Sequence, residues 1–397
     1  MLTLLTLIWL LPSCRKPDKT PEPQTETITI GALLSLTGNW STLGITSKAA
    51  IEIAVEEVNE YLRDAGSPYR LAADIADTKL DTAQALQHIK HFQESGYTFV
   101  IGPQSSAEAG AVKSFADAND MLVISQGSTA GSLSIEDDNL FRFCPADKIE
   151  GAAIARTMHQ LAVRAVVTVA RDDAGNRGLQ TATGASFAAL GGTVSAIPAY
   201  GTTVTDFSAV LAEIKSRIAS LTGTYGTSGT GVYLASFDEF VNLFRQAAGD
   251  PVLESVRWYG SDGVALSAAL VANTQASEFA LKTSYFAPTF GLPLQAQSKW
   301  EPLTTAIRNK TGIAPDAFAL AAYDAVWVIA LSYHSAGEQP PFAQLKEAFV
   351  ENANRYYGAT GSTMLNNAGD RATGTFDYWG IVYENGSYKW KLTGRSE

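Results

Sequence analysis

The feature that most constrains the fold is an alternation of apolar strands with amphipathic helices that runs twice along the chain. In the first run, the predicted strands are residues 27–36, 69–77, 97–103 and 121–127. In the second run, which begins after residue 147, they are 164–171, 193–200, 231–236, 256–262 and 283–289. Because parallel strands need crossover helices between them, the pattern predicts an α/β chain of two doubly wound, Rossmann-like parallel-sheet lobes.

The N-terminus has the composition of an export signal. Residues 2–11 are apolar apart from two threonines, a stretch too short to span a bilayer. Residues 11–14, Leu-Pro-Ser-Cys, resemble the lipobox of bacterial lipoproteins, although no Lys or Arg precedes the apolar run. We therefore expect a signal peptide at 1–13, a lipidated Cys14 and a polar, Pro-rich tether at 14–26. The alternative is a buried N-terminal segment in which Cys14 is incidental.

Charge and the scarcity of reactive motifs narrow the class of protein. A net charge of −11 argues against nucleic acid or an anionic lipid surface as a partner. Cys144 is expected to be a buried small hydrophobe. His88 and His91 lie one helical turn apart, but no third ligand has a recognisable spacing, so we expect no metal. No Gly-rich nucleotide motif or nucleophile motif is found, so we expect no catalytic residue and no cofactor.

Ligands of doubly wound sheets bind outside the carboxyl ends of the strands, so the strand-to-helix junctions are the candidate positions for a site. The junction after the third strand contains Gln104, Ser105 and Ser106. Ser105 and Glu108 fit a capping box, which would occupy the Ser105 hydroxyl. Ser106 lies one residue further on, where free N–H groups and a partial positive charge favour an anion. Helix capping alone is the alternative for this junction.

Two further junctions supply groups that complement a zwitterion. Ser128 and Thr129 follow the fourth strand and, with Ser106, would hold a ligand carboxylate. Asp262 belongs to the second run and would hold a ligand ammonium group, so that the ligand bridges the lobes. The alternatives are an ordinary Ser/Thr turn at 128–129 and an Asp-Gly turn at Asp262.

Two aromatic residues are found at the same predicted edge. Trp40 lies in a glycine-bracketed turn after the first strand, and Phe237 follows the strand at 231–236. An exposed Trp in a loop usually covers something, so Trp40 is a candidate ligand contact. The alternatives are a Trp40 ring folded onto its own lobe and a Phe237 ring in a helix core.

The order and spacing of these segments resemble the substrate-binding proteins of ABC transporters in the Leu/Ile/Val-binding family, which have the type I periplasmic binding protein fold. The resemblance runs from about residue 27 to the end, and it is carried by ITIGALLSLTGNWSTLG, YTFVIGPQSSAEA, MLVISQGSTAGSL, FRFCPADKIEGAAIA, RDDAGNRGL, FVNLFRQAAG, YGSDG and AYDAVWVIA. It implies two lobes joined by three hinge crossovers. The expected lobes are 27–146 plus about 281–357, and about 147–280 plus 358–397.

The resemblance also implies roles for individual residues. A carboxylate would bind the hydroxyls of Ser106, Ser128 and Thr129. An ammonium group would bind Asp262, and the rest of the ligand would contact Trp40 and Phe237. One departure is found in RDDAGNRG, where the family carries a tyrosine and this chain has Gly175 and Asn176. A wall of the pocket is therefore missing or replaced, so the family's side-chain preference does not carry over.

The function that the resemblance implies is that of an exported, membrane-anchored lipoprotein in the periplasm or at the cell surface of a bacterium. It would bind a small ligand such as an amino acid, act as a monomer without enzyme activity, and deliver the ligand to an ABC permease and its ATPase. One alternative is a ligand sensor of the same fold that signals to a receptor. Another is an amide, a urea-like molecule or an aromatic acid as the ligand.

Overall fold

The structure, a computed structural model, describes residues 25–337 and 339–396. The predicted signal peptide at 1–13, the lipidated Cys14 and the tether through residue 24 lie outside the described residues. Glu26 opens the first strand, so the last residue predicted as tether belongs to the fold.

The first lobe contains five parallel strands in the order β2-β1-β3-β4-β5. The strands are β1 (Glu26–Leu34), β2 (Tyr69–Asp77), β3 (Phe99–Ile101), β4 (Leu122–Ser125) and β5 (Leu140–Arg142). The helices that connect the first four are α1 (Ser41–Asp64), α2 (Thr82–Glu94) and α3 (Ser106–Ala118). The predicted parallel arrangement is confirmed. β5 is an additional strand, and its three residues are too few to show a periodic pattern.

The second lobe repeats this arrangement with parallel strands in the order β10-β9-β8-β6-β7. These are β6 (Ala165–Ala170), β7 (Thr193–Ala196), β8 (Thr230–Ala235), β9 (Arg257–Gly260) and β10 (Phe286–Phe290). The helices among them are α4 (Asp147–Gln160), α5 (Ala174–Ala189), α6 (Ser208–Tyr225), α7 (Phe240–Ala247), α8 (Ala268–Ala272) and α9 (Thr274–Lys282).

The last part of the chain contributes to both lobes. Helices α10 (Gln297–Thr311), α11 (Ala317–Ala336) and α12 (Phe342–Arg355) return to the first lobe, followed by the short pair β11 (Tyr357–Gly358) and β12 (Gly361–Ser362). Strands β13 (Phe376–Glu384) and β14 (Ser387–Arg395) then form an antiparallel edge beside β10.

Helices cover both faces of the first sheet. On one face α1, α11 and α12 bury Ile51, Val326 and Phe349, and on the other α2 and α3 bury Ile89 and Val112. Helix α11 is long and apolar enough to cross a membrane by composition, but 78% of its apolar window is buried inside the protein. It is therefore the core helix of the first lobe.

The chain passes between the lobes after β5, after β10 and between β12 and β13. Two boundaries differ from those expected from sequence. Strand β10, which was assigned to the first lobe from about residue 281, pairs with β9 and β13 in the second sheet. Asp370, which was assigned to the second lobe, forms a bridge with Arg142 of β5. Long-range pairing decides both positions, and no local pattern reveals it.

One buried guanidinium ties the three crossovers together. Arg371 donates to the carbonyl of Phe143 at 3.1 Å and to the carbonyl of Thr360 at 2.6 Å. Its guanidinium also lies 4.4 Å from the centre of the Phe290 ring, at the end of β10. Burial lowers the pKa of Arg371 to about 10, against the opposing attraction of Asp324. The hinge is thus anchored on a charged group that all three crossing segments contact.

Candidate ligand-binding site

The loop after β1 is fixed by Gln104 from the junction after β3. The fully buried Gln104 amide accepts from the Ser35 N–H at 3.1 Å and donates to the Trp40 carbonyl at 2.9 Å. Both ends of the amide are therefore occupied by backbone groups. Gln104 is therefore a positioning residue that sets the Trp40 loop, and its predicted contact with a ligand stays a prediction.

Ser105 caps helix α3, as the sequence pattern predicted. Its hydroxyl oxygen accepts from the Glu108 N–H at 3.3 Å and its O–H donates to the Glu108 carboxylate at 2.5 Å. Burial raises the pKa of Glu108, against the lowering effect of Ser105. The Ser105 side chain is thus committed to the cap, so its predicted contribution to the site is confined to the helix N-terminus.

Ser106 lies where the two junctions of the first lobe meet. Its hydroxyl oxygen accepts from Ser128 Oγ and from the Ala130 N–H, both at 3.1 Å. With two hydrogen bonds accepted, the Ser106 O–H remains available to donate to a ligand oxygen. Ser106 and Ser128 are therefore in contact, and Ser106, Ser128 and Thr129 are all buried, while their binding of a ligand carboxylate stays a prediction.

The N-terminal turn of α5 faces Ser106 from the second lobe. A Cβ atom placed on Gly175 would lie 3.3 Å from Ser106 Oγ, and one placed on Gly178 would lie 2.3 Å from Asp147 Oδ2. The two glycines are three residues apart and share one face of the helix. Glycine at these positions lets the second lobe approach the serines closely, in the segment where the family's tyrosine is absent.

Trp40 and Phe237 meet each other between the lobes. Their ring centroids are 4.7 Å apart at an interplanar angle of 27°. The backbone N–H of Trp40 donates to Asp238 Oδ2 at 3.0 Å. The Arg171 guanidinium lies 5.2 Å from the centre of the Phe237 ring. The alternative of a Trp40 ring packed only on its own lobe is thus wrong, because its partner ring follows β8. The lobes are closed in this structure.

Asp262 is buried beside two carboxylates that the sequence did not single out. The Asp262 N–H donates to Glu150 Oε1 at 3.2 Å, and the Asp147 N–H donates to the Thr129 carbonyl at 2.8 Å. Asp147 and Glu150 lie in the first turn of α4, which follows the first crossover. We call these three residues, Asp147, Glu150 and Asp262, the carboxylate cluster. It is continuous with the serine and threonine set through the bond between Asp147 and Thr129.

Burial disfavours the ionised form of every member of the carboxylate cluster. It raises the pKa of Asp147 to about 6, against smaller opposing effects of the Thr129 hydroxyl and Arg142. Burial, reinforced by the charge of Asp147, raises the pKa of Asp262 to about 7. Burial and the neighbouring Asp262 carboxylate raise the pKa of Glu150 well above its usual range. A cation placed among them would reverse these shifts.

Cys144 is buried, as the sequence predicts, and its thiol donates to the Ser128 carbonyl at 3.3 Å. Burial raises the pKa of that thiol. Across residues 25–337 and 339–396, no group of three or more His, Cys, Asp or Glu side chains is arranged to hold a metal ion.

Comparison with known sequences agrees with this architecture. The family described as receptor family ligand binding region matches residues 46–384. The chain is 30% identical over 408 residues to an uncharacterized protein of Methanocaldococcus jannaschii, covering 97% of this chain and 94% of that protein. It is 24% identical over 363 residues to the leucine-, isoleucine-, valine-, threonine-, and alanine-binding protein of Pseudomonas aeruginosa, covering 90% of each.

Solved structures share the fold. The branched-chain amino acid transporter substrate binding protein LivJ of Streptococcus pneumoniae, in complex with isoleucine, superposes with a TM-score of 0.73 at 20% identity, over 94% of this chain and 99% of that one. A solute binding protein of R. palustris in complex with benzoate gives 0.74 at 18% identity, over 92% and 96%. The chain therefore belongs to the receptor family ligand binding region family, has the type I periplasmic binding protein fold, and counts Leu/Ile/Val-binding proteins among its relatives.

Proposed function

We propose that the protein is an exported solute-binding lipoprotein that binds an amino acid or a related small molecule between its lobes. The observation that carries the proposal is the pairing of a hydroxyl set with carboxylates in one buried cleft. Ser106, at the N-terminus of α3, offers a donor to a ligand carboxylate. Asp262, from the other lobe, offers a carboxylate to a ligand ammonium group. A ligand with both groups would contact both lobes.

Such a ligand acts by shifting an equilibrium between open and closed lobes. Because it has contacts with both lobes only in the closed state, its binding free energy stabilises that state. Gly175 and Ser106, which face each other across the cleft, are the places where closure brings the lobes together. The role is that of a binding protein and not of an enzyme.

The relatives support a transport role. The Pseudomonas aeruginosa protein is named for five amino acids, and the Streptococcus pneumoniae structure contains isoleucine. We propose that the closed, liganded form of this chain is recognised by an ABC permease with its ATPase. A binding protein acting as a monomer, tethered by lipid chains on Cys14, would remain near that permease.

Thermal unfolding with a panel of ligands tests the proposed ligand class. The panel contains the twenty L-amino acids, small amides, urea and aromatic acids. A ligand at a hundred times its dissociation constant adds about 2.7 kcal/mol of stability. We expect an amino acid to raise the melting temperature and Asp262→Ala to remove that rise. If only the acids without an amine stabilise the protein, Asp262 does not bind an ammonium group.

Metabolic labelling with a fatty acid tests the proposed anchor. We expect the label on the wild-type protein in the membrane fraction and its loss in Cys14→Ser. Label that persists in Cys14→Ser, or a wild-type protein without label, would contradict the lipoprotein assignment.

A sensor role is a second candidate, since the matching family is described as a receptor ligand-binding region and the chain is 29% identical over 124 residues to the gamma-aminobutyric acid type B receptor subunit 1 of Mus musculus. That match covers 31% of this chain and 13% of the receptor. Uptake of a radiolabelled ligand by cells with and without this protein separates the two roles. Loss of uptake supports transport, whereas unchanged uptake with altered signalling supports the sensor.

An amide, urea-like or aromatic-acid ligand is an alternative within the same class. The R. palustris structure, which contains benzoate, shows that a protein of this fold holds an acid without an amine. With such a ligand, Asp262 would accept from an N–H or remain protonated. The thermal panel distinguishes these ligands from amino acids directly.

A further inference from the structure

The carboxylate cluster holds more buried acid than one ligand ammonium group requires. Asp147 is 2% exposed, Glu150 0% and Asp262 4%. The oxygens Asp147 Oδ1, Asp147 Oδ2, Glu150 Oε2 and Asp262 Oδ2 are all buried without a hydrogen-bond partner. Buried carboxylates are normally paired or hydrogen-bonded, because an uncompensated one costs several kcal/mol. These oxygens therefore present acceptors for a group that comes from outside the chain.

Arg142 is a cationic side chain near this cluster, and two of its three nitrogens are engaged elsewhere, while Nη2 is buried without a partner. Arg142 acts on Asp147 from a distance, but its Nε is paired with Asp370 Oδ1 at 2.5 Å and its Nη1 donates to the Ala130 carbonyl at 2.5 Å. The positive end of α4 gives partial compensation to Asp147 and Glu150, which lie in its first turn. That compensation lowers the cost of burying the two carboxylates, but it provides no hydrogen-bond partner for the four oxygens.

A fully buried hydroxyl without a partner lies beside the same carboxylates. Tyr233 Oη, on β8, is buried without a hydrogen-bond partner, and the charges of Glu150, Asp262 and Asp147 all act on it. Thr183 Oγ1 is buried in the same state nearby. Neither hydroxyl can neutralise a carboxylate, so above the raised pKa values the cluster carries negative charge that a cation would compensate. The four carboxylate oxygens and the tyrosine hydroxyl, all buried without a hydrogen-bond partner, belong to residues that act on one another.

Asp147 also lies very close to helix α5. Asp147 Oδ2 occupies the space that a side chain at position 178 would fill, since a Cβ there would lie 2.3 Å from it. Asp147, on α4, thus packs against the N-terminal part of α5, the helix that contains Gly175 and Asn176.

We propose that the ligand carries a second cationic nitrogen in addition to its α-ammonium group, as a basic amino acid does, with one nitrogen held by Asp262 and Glu150 and the other by Asp147. This inference rests on the proposed function, because it specifies the ligand of the same cleft. The carboxylate of the ligand remains on Ser106. The side-chain nitrogen is then selected by the two acids of α4.

Calorimetric titration of the full-length wild-type protein with matched pairs of amino acids tests the proposal. L-Lysine and L-norleucine differ by the terminal amine, and L-arginine and L-citrulline differ chiefly in charge. We expect lysine or arginine to bind about 30-fold more tightly than its neutral partner, the ratio expected for a buried charge pair. Because the pairs differ only in the ligand, this comparison requires no variant to fold.

Asp147→Asn locates the selectivity. Asparagine keeps the shape and is tolerated at helix N-termini, so α4 should be preserved. We expect the preference for the basic ligand to fall about tenfold or more, while affinity for the neutral partner changes less than about threefold. The control is Asp172→Asn, which removes a half-exposed carboxylate from the same edge of the second lobe, where it pairs with Arg177 at 3.2 Å. The control should keep the full preference.

The outcomes separate this inference from the proposed function. If norleucine or another neutral amino acid binds as tightly as lysine, the second cation is refuted while amino-acid binding stands. If Asp147→Asn and Asp172→Asn have equal effects, the cluster does not set the preference. If no amino acid of either class binds, both the inference and the proposed ligand class are wrong.

Discussion

The indole ring of Trp40, from the loop after β1, stacks on the phenyl ring of Phe237, from the loop after β8, with centroids 4.7 Å apart. Trp40 has a left-handed backbone conformation with φ of 59°, and Gln104 holds its carbonyl. The pair therefore joins the two lobes through a strained and well-supported loop. The stack contributes to the stability of the closed state, which a ligand that contacts both lobes would increase.

Trp40→Ala should shift the lobes toward the open state. Aromatic stacking contributes about 1 kcal/mol beyond area burial, so we expect roughly a fivefold change in the ratio of closed to open molecules. Small-angle X-ray scattering of the ligand-free variant should give a larger radius of gyration than the wild type. Trp379→Ala, on β13 within the second sheet, is the control and should leave the radius unchanged. An unchanged radius in Trp40→Ala would show that the stack does not hold the lobes.

Arg371→Met should destabilise the hinge. The change leaves the buried carbonyls of Phe143 and Thr360 without their donor and removes the attraction to Asp324. Loss of one partner from a buried charge network typically costs 3–5 kcal/mol, so the free energy of unfolding in urea should fall by about that much. Arg355→Met is the control, because its exposed i,i+4 pair with Glu351 should contribute less than about 1 kcal/mol. Equal effects of the two changes would contradict the assigned role of Arg371.

Gly178→Ala should displace Asp147. The new Cβ would lie 2.3 Å from Asp147 Oδ2, a distance that forces the carboxylate or helix α5 to move. We expect a loss of about 1–3 kcal/mol in stability, the usual cost of overpacking, together with weaker ligand binding. Gly184→Ala lies on the same helix, where the nearest atom to the new Cβ is 3.4 Å away. That control should be neutral or stabilising by up to about 1 kcal/mol, because alanine favours a helix. If Gly178→Ala leaves ligand binding unchanged, Asp147 does not contribute to the binding site.

Stability should fall as pH rises from about 4 to 7. The pKa of Asp147 is raised from 3.8 to about 6, and that of Asp262 from 3.8 to about 7. The folded protein therefore binds more protons than the unfolded chain in this window, so the contribution of these groups is complete at low pH and is lost as pH rises through their folded pKa values. For Asp147, which is almost fully buried, the shift corresponds to about 3 kcal/mol.

Urea unfolding at several pH values checks this dependence. Asp147→Asn should reduce the fall in stability between pH 4 and 7 relative to the wild type, while Asp172→Asn should not. A wild type whose difference from Asp147→Asn is the same at every pH would contradict the raised pKa. The titrating and charged groups that act on the two carboxylates are Glu150, Arg142, Asp173, Tyr233 and Asp316.

The sequence predicted the elements and the edge at which the site lies, because both follow from local rules. Strand β2 was predicted with its observed bounds, and the junction serines were placed together because carboxyl ends of parallel strands meet at one edge. The Ser105 cap likewise depends only on its own helix. The very short β5 gave no periodic signal, since three residues are too few for one.

What the sequence missed depends on contacts between distant segments. The sequence predicts Gln104 as a ligand contact, but it does not reveal that the amide forms hydrogen bonds with the backbone of a loop more than sixty residues away. Asp147 and Glu150 have the pattern of ordinary acids in the first turn of a helix, which are usually solvated. Packing within the second lobe, to which all three residues belong, places Glu150 beside Asp262. The one sequence signal for Asp147 is the last glycine of RDDAGNRG, Gly178, which leaves the space that Asp147 fills.

The most direct test of zwitterion recognition uses the amino acid that gives the largest thermal shift, together with its two analogues that lack either the amine or the carboxylate. Calorimetry should show that Ser106→Ala weakens the binding of the amino acid and of the acid without an amine. The binding of the amine without a carboxylate should not change. Asp262→Asn should weaken the binding of the amino acid and of the amine, but not the binding of the acid. This crossed pattern is the predicted result. Equal losses for all three ligands in both variants would contradict the account, because neither residue would then recognise a particular charged group.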